Sequence, residues 1–219
     1  MTTTTKRKKK ELTADDYKSA YITHLLMHGQ KPHSVFSFVN ELKSTEAHFY
    51  THFNSFGALE RTIWADWLVA TTDALEADEA YAEYSVREKL LSFYYTWLET
   101  LKSNRSFVLM RFEKLGKTEI DPAFLESLKV LFNGYINDLI LEGKDTEEVA
   151  ERPFSSQYEK VFWLHFLFLM KFWSKDESAD FEKTDAAIEK SVNLAFDLLS
   201  KGALDSMLDF GKFLFQNRK

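Results

Sequence analysis

Cysteine is absent from this chain of 219 residues. Without thiols the protein has no disulfide framework, no thiolate metal site and no cysteine nucleophile. This composition is compatible with a reducing compartment, and we expect a cytoplasmic protein. The basic residues near the start are followed by Glu11 and an amphipathic stretch, not by the apolar segment that a signal peptide requires. No export is therefore expected.

Long hydrophobic runs are also missing. The longest apolar stretch covers residues 161–173 and is interrupted by His165 and Lys171. It is shorter than the ~20 apolar residues that an α-helix needs to span a bilayer. We therefore expect a buried helix at this position and no stable insertion into a membrane.

Proline and glycine are scarce, with three and seven residues respectively. Apolar residues recur at spacings of three and four over long stretches, which is typical of helices, and the sequence predicts an all-α protein. Aromatic residues make up 16% of the chain. Such wide side chains either fill a helical core or line a cavity, and the packed core is the more common outcome.

The first predicted helix has clear signals at both ends. Thr13 followed by Asp16 is typical of an N-cap with an acid that reaches back to it, and Gly29 ends the helix. Residues 1–10 precede this helix as a Thr-rich, then Lys/Arg-rich arm with nothing to bury, and we expect this arm to be disordered.

Two more short helices are predicted before residue 54. We expect Pro32 to open the second helix. Its expected apolar positions are Val35, Phe36, Val39 and Leu42. The third helix is expected from Ser44 or Thr45 to about Thr51. The helix over residues 34–42, the short link and this third helix have the spacing of a helix-turn-helix, whose second helix enters the major groove of DNA.

The rest of the chain is predicted to form longer helices. Their expected ranges are 55–76, 86–102, 105–115, 122–142, 156–173, 185–200 and 203–215. On the helix 55–76 the expected buried side chains are Leu59, Ile63, Trp67 and Ala70. The chain is thus divided into a basic arm at 1–10, a three-helix head at 11–54 and a helical body at 55–219.

The end of the head carries a recognisable segment, Tyr50-Thr51-His52-Phe53, followed by Asn54, Ser55 and Leu59. This segment resembles the Tyr-x-His-Phe sequence that closes the head of TetR-family transcriptional regulators. Val35 and Phe38 stand where that family has apolar residues of its second helix, and Phe49 stands near the end of its recognition helix. The resemblance covers about residues 14–60. It implies a TetR-like fold with a DNA-binding head and a body that binds a ligand and forms a dimer.

By this resemblance Thr45, His48, Tyr50 and His52 face DNA, with Tyr50 and His52 on phosphates. Lys43 is also expected to contact DNA. It stands where the family usually has glycine in the turn, which requires a different turn or a positive φ. Two further departures concern charge. Phe56 replaces a usual lysine, and Glu46 places an anion on the recognition helix.

The folded head is not basic. Between residues 11 and 53 three lysines face five acidic residues, a net charge of about −2 by direct count, whereas DNA binding draws on a basic surface. The arm offers the missing cations, and such arms can enter the minor groove. Its basic residues are Lys6, Arg7, Lys8, Lys9 and Lys10. We therefore expect any DNA binding to depend on this arm, although such a tail can also serve only solubility.

The body carries the expected dimer surface and ligand pocket. By the resemblance, the helices at 156–173 and 185–200 pair with their two-fold mates, and their apolar faces suit this, although a thick monomer core would also explain them. A pocket for an apolar or aromatic ligand is expected among the middle helices. The side chains expected to line it are Phe93, Trp97, Met110, Phe112, Phe124, Leu128, Phe132, Tyr135, His165 and Phe166, with Phe107 and Leu131 beside them. The same residues would also suit a dry, filled core.

A second function class fits the same features. A lipid-binding protein of coenzyme Q biosynthesis has a TetR-like fold, holds an isoprenoid-type lipid in its body and no longer recognises DNA. The degenerate head and aromatic body of this chain are compatible with that function. The apolar segment 203–215 would then cover the pocket or lie on a membrane, although an amphipathic helix packed on the body is the more common case.

No catalytic arrangement is evident. The sequence has no Gly-rich phosphate loop, no Gly-x-Ser-x-Gly elbow and no nucleophile paired with a base, so we expect no enzyme and no cofactor. His24 with His28, and His48 with His52, have a spacing of four that can bind zinc on a helix. Neither pair has an evident third ligand in the sequence, and no metal site is expected.

Overall fold

The computed structural model describes residues 11–116, 119–150 and 158–199, and these residues form helices and turns without a strand. The α-helices of these ranges are α1 (Ala14–His28), α2 (Val35–Glu41), α3 (Glu46–Tyr50), α4 (Phe56–Glu76), α5 (Val86–Lys102), α6 (Arg105–Glu113), α7 (Glu126–Asp145), α8 (Tyr158–Ser174) and α9 (Glu182–Leu199). The all-α prediction is confirmed. The basic arm and the predicted helix at 203–215 lie outside the described residues.

The chain divides into two compact units, Met1–Ile63 and Trp64–Lys219. The division falls inside α4, so this helix contributes residues to both units. We refer to the described part of the first unit as the head and to that of the second as the body.

Side-chain caps set the starts of the head helices. The Thr13 hydroxyl accepts a hydrogen bond from the Asp16 backbone N–H at 3.2 Å, and the Asp16 carboxylate accepts from the Thr13 N–H at 2.7 Å. Gly29 ends α1 with φ = 68°, a left-handed conformation that glycine adopts without strain. The prediction that Pro32 opens α2 is wrong. Ser34 caps that helix instead, because its hydroxyl accepts from the Ser37 N–H at 3.0 Å.

The head core is built from the rings of three helices and the segment that follows them. Its buried side chains include Tyr17, Tyr21, Leu25, Phe38, Val39, Phe49, Phe53 and Leu59. The expectation that Phe36 belongs to the apolar face of α2 is wrong: it is 66% exposed, whereas Phe38 is buried. Phe38 meets Phe49 edge to face with ring centroids 6.3 Å apart, so α2 and α3 share an aromatic contact.

The body helices pack around α5 and α8. Helix α5 packs against α7 and α9, and α8 packs against α6, α7 and α9. The buried stripe of α4 in this unit runs through Trp64, Leu68 and Leu75. Leu59 and Ile63 of the expected stripe are buried, but Trp67 is only half-buried and Ala70 is exposed. At these two turns the buried positions lie one residue later, at Leu68 and Thr71.

Local signals explain some helix boundaries of the body. The α5 boundaries match the prediction, and the Ser85 hydroxyl caps this helix through the Glu88 N–H. A 3-10 turn at Ala123–Leu125 precedes α7, which therefore begins at Glu126 and not at Pro122. A further 3-10 turn at Glu79–Glu83 was not predicted.

A buried carboxylate organises the start of α9. Asp176 is only 6% exposed and accepts from the backbone N–H and the hydroxyl of both Ser178 and Thr184, at 2.6–2.9 Å. Burial opposes the charged carboxylate, but these hydrogen bonds outweigh it and hold the pKa of Asp176 well below its ordinary value. The Arg105 guanidinium donates to the carbonyls of Trp173 and Asp176, which joins this turn to α6.

In the described residues, no helix has the length and apolar character that crossing a membrane requires.

Candidate functional site

Helices α2 and α3 form a helix-turn-helix whose turn is closed by Lys43. Its φ is 54°, one of the two turn geometries expected from the sequence. Backbone hydrogen bonds hold this turn, since the Lys43 N–H donates to Asn40 O at 3.0 Å and the Ser44 N–H donates to Val39 O at 2.8 Å. A left-handed conformation costs an L-residue on the order of 1 kcal/mol, and the contacts on both sides of the turn maintain it.

The residues expected to face DNA differ in their exposure and in their hydrogen bonds to other protein groups. Tyr50 and His52 are exposed. Thr45 is exposed too, but its hydroxyl caps α3 by accepting from the His48 N–H at 3.2 Å. His48 is half-buried, and its Nδ1 lies 2.9 Å from the hydroxyl of Tyr17. The Nδ1 of His48 therefore already has a protein partner.

Tyr17 and Ser44 are positioning residues that sequence reasoning missed. The Tyr17 hydroxyl lies 2.5 Å from Ser44 Oγ and 2.9 Å from His48 Nδ1, so one buried ring of α1 holds both the turn and the recognition helix. A shallow cleft of about 300 Å³ opens beside this cluster. It is lined by Glu11, Leu12, Leu42, Lys43, Ser44, Thr45 and His48.

Glu46 and Phe56, the two positions at which the charge of the head departs from the family pattern, have distinct places in the structure. Glu46 is exposed in the first turn of α3, beside the surface expected to meet DNA. Phe56, which stands where the family usually has lysine, stacks on Tyr21 with ring centroids 5.5 Å apart. It also meets Phe38 edge to face at 5.3 Å, so this position serves the head core. The described head therefore has few cations near α3.

A histidine pair lies at the end of α1. The rings of His24 and His28 have centroids 4.4 Å apart, and His24 Nδ1 lies 3.9 Å from a carboxylate oxygen of Glu41. Burial and the neighbouring His28 lower the pKa of His24, and Glu41 opposes this shift.

Part of the expected ligand pocket is a packed aromatic cluster. Phe93 stacks on Tyr135 with centroids 4.7 Å apart, and Phe132 contacts Phe166 at 4.9 Å. Trp97 contacts Phe166 at 5.7 Å and donates its N–H to Met170 Sδ. Phe93 also lies 5.6 Å from Phe132, and Leu128 is buried. Ring contacts of this kind are typical of a closely packed core.

Phe112 and Phe124 belong to a second aromatic cluster. Trp64 contacts both of these rings, at 6.0 and 5.5 Å, and the Arg111 guanidinium lies 4.7 Å from the centroid of Phe124. Met110 is half-buried. Leu131 was expected beside the pocket, but it is 41% exposed. The predicted ligand residues are therefore divided between two aromatic clusters.

An open cleft of about 560 Å³ lies at the end of α6, beside the second cluster. It is lined by Leu109, Phe112, Glu113, Leu115, Lys171, Ser174 and Lys175. Its lining combines apolar side chains, Leu109, Phe112 and Leu115, with the charged Glu113, Lys171 and Lys175, which suits a molecule that is largely apolar. Of these lining residues, only Phe112 was among those expected from the sequence.

His165 of α8 forms a polar bridge between two other helices. Its Nδ1 lies 3.0 Å from the Tyr94 hydroxyl on α5, and its Nε2 lies 2.7 Å from the Ser191 hydroxyl on α9. Ser191 in turn donates to Ala187 O at 2.6 Å. Burial lowers the pKa of His165 to about 4, so the imidazole is neutral at pH 7.

A second polar group links the turn at residues 79–83 to α5 and α7. The Tyr81 and Tyr135 hydroxyls lie 2.9 Å apart, and Tyr135 donates to Lys89 O at 3.2 Å. Burial raises the pKa of both tyrosines, so both remain neutral. Lys89, which is largely buried, pairs with Glu142 at 2.5 Å. Tyr135 is thus already engaged with protein partners.

One face of α8 and α9 is apolar and exposed. Val161, Leu164 and Phe168 are 57%, 48% and 50% exposed and follow one another at helical spacing along α8. Leu194 and Leu198 of α9 are 59% and 39% exposed. The contact between His165 and Ser191 places the two helices side by side. We call these five residues the apolar strip.

Comparison with known families is consistent with this architecture. The family model described as tetracyclin repressor-like, C-terminal domain, matches residues 89–214, which is more than half of the chain. The chain belongs to the TetR family. A bacterial regulatory protein in the tetR family from Rhodococcus RHA1 shares the fold, with a TM-score of 0.52 and 14% sequence identity. That match covers 87% of this chain and 98% of the other. A search of curated proteins found no match.

The TetR assignment confirms the resemblance inferred from residues 14–60, and it does so through a different part of the chain. It does not by itself assign a ligand or an operator.

Proposed function

We propose that this TetR-family protein is a transcriptional regulator that binds DNA as a homodimer and responds to an apolar small molecule. The observation that carries the proposal is the helix-turn-helix of the head, in which Tyr17 and Ser44 position α3 while Tyr50 and His52 remain exposed. The chain is proposed to have no enzymatic activity.

The apolar strip supports the homodimer. Five large apolar side chains on two adjacent helices form a contiguous surface of the kind that soluble proteins cover. Because both helices lie side by side, a two-fold axis through the strip would bring four helices together. Sedimentation at micromolar concentration tests this assembly, and a monomer under those conditions would contradict it.

DNA binding is proposed to combine α3 with the arm. The described head offers few cations near α3 and exposes Glu46, so most of the phosphate attraction is assigned to Lys6, Arg7, Lys8, Lys9 and Lys10. Deleting residues 1–10 should abolish binding, and a variant with these five residues replaced by serine should behave in the same way. Equal affinity and equal salt dependence with and without the arm would contradict this assignment.

The ligand is proposed to bind in the cleft at the end of α6 and to contact Phe112. Two observations support this choice: the rings of Phe93, Phe132 and Phe166 contact one another at 5.6 and 4.9 Å, and the cleft offers about 560 Å³. Replacing the half-buried Leu109 by tryptophan should fill the cleft and weaken uptake of an apolar fluorescent probe. The same replacement at Leu141, which is exposed on α7, is the control.

Helix α4 is proposed to carry the response, because it contributes residues to both units. A ligand changes DNA binding only if it binds the two states of the protein with different affinity. Adding the probe should therefore change the affinity of the natural chain for DNA. The affinity of the Leu109→Trp variant for DNA should be the same with and without the probe.

The second candidate is a TetR-fold protein that binds a lipid or isoprenoid and has lost DNA recognition. The exposed Glu46 and the use of Phe56 in the head core favour it. Mass spectrometry of gently purified protein distinguishes the two. A stoichiometric lipid together with an absence of DNA binding at low salt would favour this candidate over the regulator.

A further inference from the structure

The cleft at the end of α6 is lined by two elements of different chemical character. Its apolar side chains come from α6 and the turn after it, where Leu109 and Leu115 are half-buried and Phe112 is buried. The other side comes from the end of α8 and carries Lys171 and Lys175. An apolar surface and a pair of cations therefore border the same space.

The two lysines lie close together at the end of α8. They are four positions apart, and the Lys175 N–H donates to Phe172 O at 3.0 Å, so the backbone continues the last turn of the helix. Lys171 donates to Gly116 O at 3.5 Å, which is a long and weak hydrogen bond. In the part of the chain that the structure describes, neither ammonium group pairs with a carboxylate. Like charges at this spacing repel each other, and a bound anion would relieve the repulsion.

The acidic residues nearby leave the cleft with a positive charge. Glu113 is the one carboxylate among its lining residues and stands against two lysines, a net charge of +1 by direct count. Asp176 follows Lys175 in sequence, but its carboxylate is buried and accepts hydrogen bonds from Ser178 and Thr184. The oxygens of Asp176 are thus already engaged away from the lysine.

We propose that the ligand of this cleft is an amphipathic anion, an apolar chain that ends in a carboxylate. The chain would lie against Leu109 and Phe112, and the carboxylate would bind Lys171 and Lys175. This inference rests on the proposed function in one respect, because it takes the cleft to be the ligand site of the regulator. A single negative charge matches the net charge of the lining residues. The cleft volume of about 560 Å³ lies within the range of roughly 300–1,000 Å³ that small-molecule sites have.

The chain and the headgroup contribute to affinity in different ways. Each methylene group that leaves water should tighten binding by up to about fourfold. An ion pair contributes less when it is exposed than when it is partly desolvated, because water screens the charges. Lys171 is half-buried and Lys175 is exposed. We therefore expect Lys171 to contribute more to the affinity than Lys175.

Lysines at the end of a helix also have a purely structural role, since the last carbonyl groups of a helix attract cations. That role requires no ligand. It predicts that removing either charge lowers the stability of the protein and leaves the affinities for charged and neutral ligands in the same ratio. The ratio of these affinities is thus the quantity to measure.

Titration calorimetry of the full chain at pH 8 with octanoate, octanol and octylammonium tests the proposal, because the three probes share one chain and differ in charge. We expect octanoate to bind about tenfold or more tightly than octanol, and octylammonium to bind most weakly. Lys171→Met should weaken octanoate binding roughly five- to tenfold and Lys175→Met roughly two- to fivefold, with octanol binding changed less than about twofold. Added salt should reduce the advantage of octanoate over octanol.

Two control variants accompany these measurements. Lys190→Met removes an exposed lysine of α9 that does not line the cleft, and it should leave octanoate binding within about twofold. Lys171→Arg keeps the charge and should retain most of the affinity. Because Lys175 is exposed, Lys175→Met should show the unfolding curve of the natural chain.

Equal affinity for octanoate and octanol would overturn the proposal. If Leu109→Trp then weakened both, the cleft would remain the ligand site of the proposed function. Octanoate binding that neither Lys171→Met nor Lys175→Met weakens, or that Leu109→Trp leaves intact, would also overturn the proposal. Failure of all three probes to bind would contradict both this inference and the cleft as a site for an apolar ligand.

Discussion

The bridge from Tyr94 through His165 to Ser191 predicts a specific dependence of stability on pH. Ser191 donates to Ala187 O, so its oxygen accepts from His165 Nε2–H, and Nδ1 is left to accept from the Tyr94 hydroxyl. This neutral tautomer uses both ring nitrogens. A second proton on Nδ1 would oppose the buried Tyr94 donor, which agrees in direction with the lowered pKa.

The size of the effect follows from the two pKa values. The unfolded chain takes up the proton near the ordinary value of 6.5, whereas the folded chain takes it up only near a pKa of about 4. As pH falls from 7 to 5 the unfolded state binds more protons, so the free energy of unfolding decreases. At pH 5 the loss from this one residue amounts to about 2 kcal/mol.

The assay is urea unfolding at pH 7 and pH 5, at equal protein concentration, for the natural chain and His165→Gln. The glutamine amide offers an acceptor to Tyr94 and a donor to Ser191, and it does not titrate. The other five histidines are common to both proteins, so their contributions cancel in the comparison. The natural chain should lose about 2 kcal/mol more than the variant. Equal losses in the two proteins would refute the assignment of a neutral, buried His165.

Other predictions concern the turn, the cap of α9 and the apolar strip. Lys43→Gly should raise the free energy of unfolding by about 0.5–1 kcal/mol, because glycine accepts the positive φ; Lys43→Ala, which keeps the strain, should give no gain in urea unfolding. Asp176→Ala should lower the free energy of unfolding by about 2–4 kcal/mol, since it leaves the donors of Ser178 and Thr184 unpaired. A loss no larger than that of a substitution at an exposed carboxylate would contradict the role given to this cap. Phe168→Glu should shift sedimentation toward the monomer, and the same substitution at the exposed Val130 of α7 should not.

Helix boundaries were predictable where the signal was local. The start of α5 at Val86 agrees with the predicted range, and its signal is local, because Ser85 and Glu88 cap one another and are close in sequence. The same physics explains the error at Pro32, since Ser34 offers the stronger cap two residues later. Helix α2 has only seven residues, too few for periodicity to distinguish Phe36 from Phe38.

The residues of the candidate site were harder to predict, because they are brought together by contacts that the periodicity of a sequence does not reveal. A phenylalanine that lines a cavity and one that packs in a core have the same spacing, so the sequence did not separate Phe132 from Phe112. The contacts of Tyr17 with His48, and of His24 with Glu41, join residues more than fifteen positions apart. No local pattern encodes them. The sequence predicted either a positive φ at Lys43 or a different turn. Both alternatives followed from the resemblance of residues 14–60 to the TetR family, which usually has glycine at this position.

The most direct test of the proposed function is selection of DNA sequences from a random pool by the full chain at physiological ionic strength. A homodimer with a helix-turn-helix should enrich a palindromic sequence whose half-sites are about 34 Å apart, or one turn of DNA. Replacement of Tyr50 and His52 by alanine should remove this enrichment and leave the sedimentation of the protein unchanged. If the natural chain enriches no sequence, with its arm intact and its dimer formed, the central claim of a DNA-binding regulator is wrong.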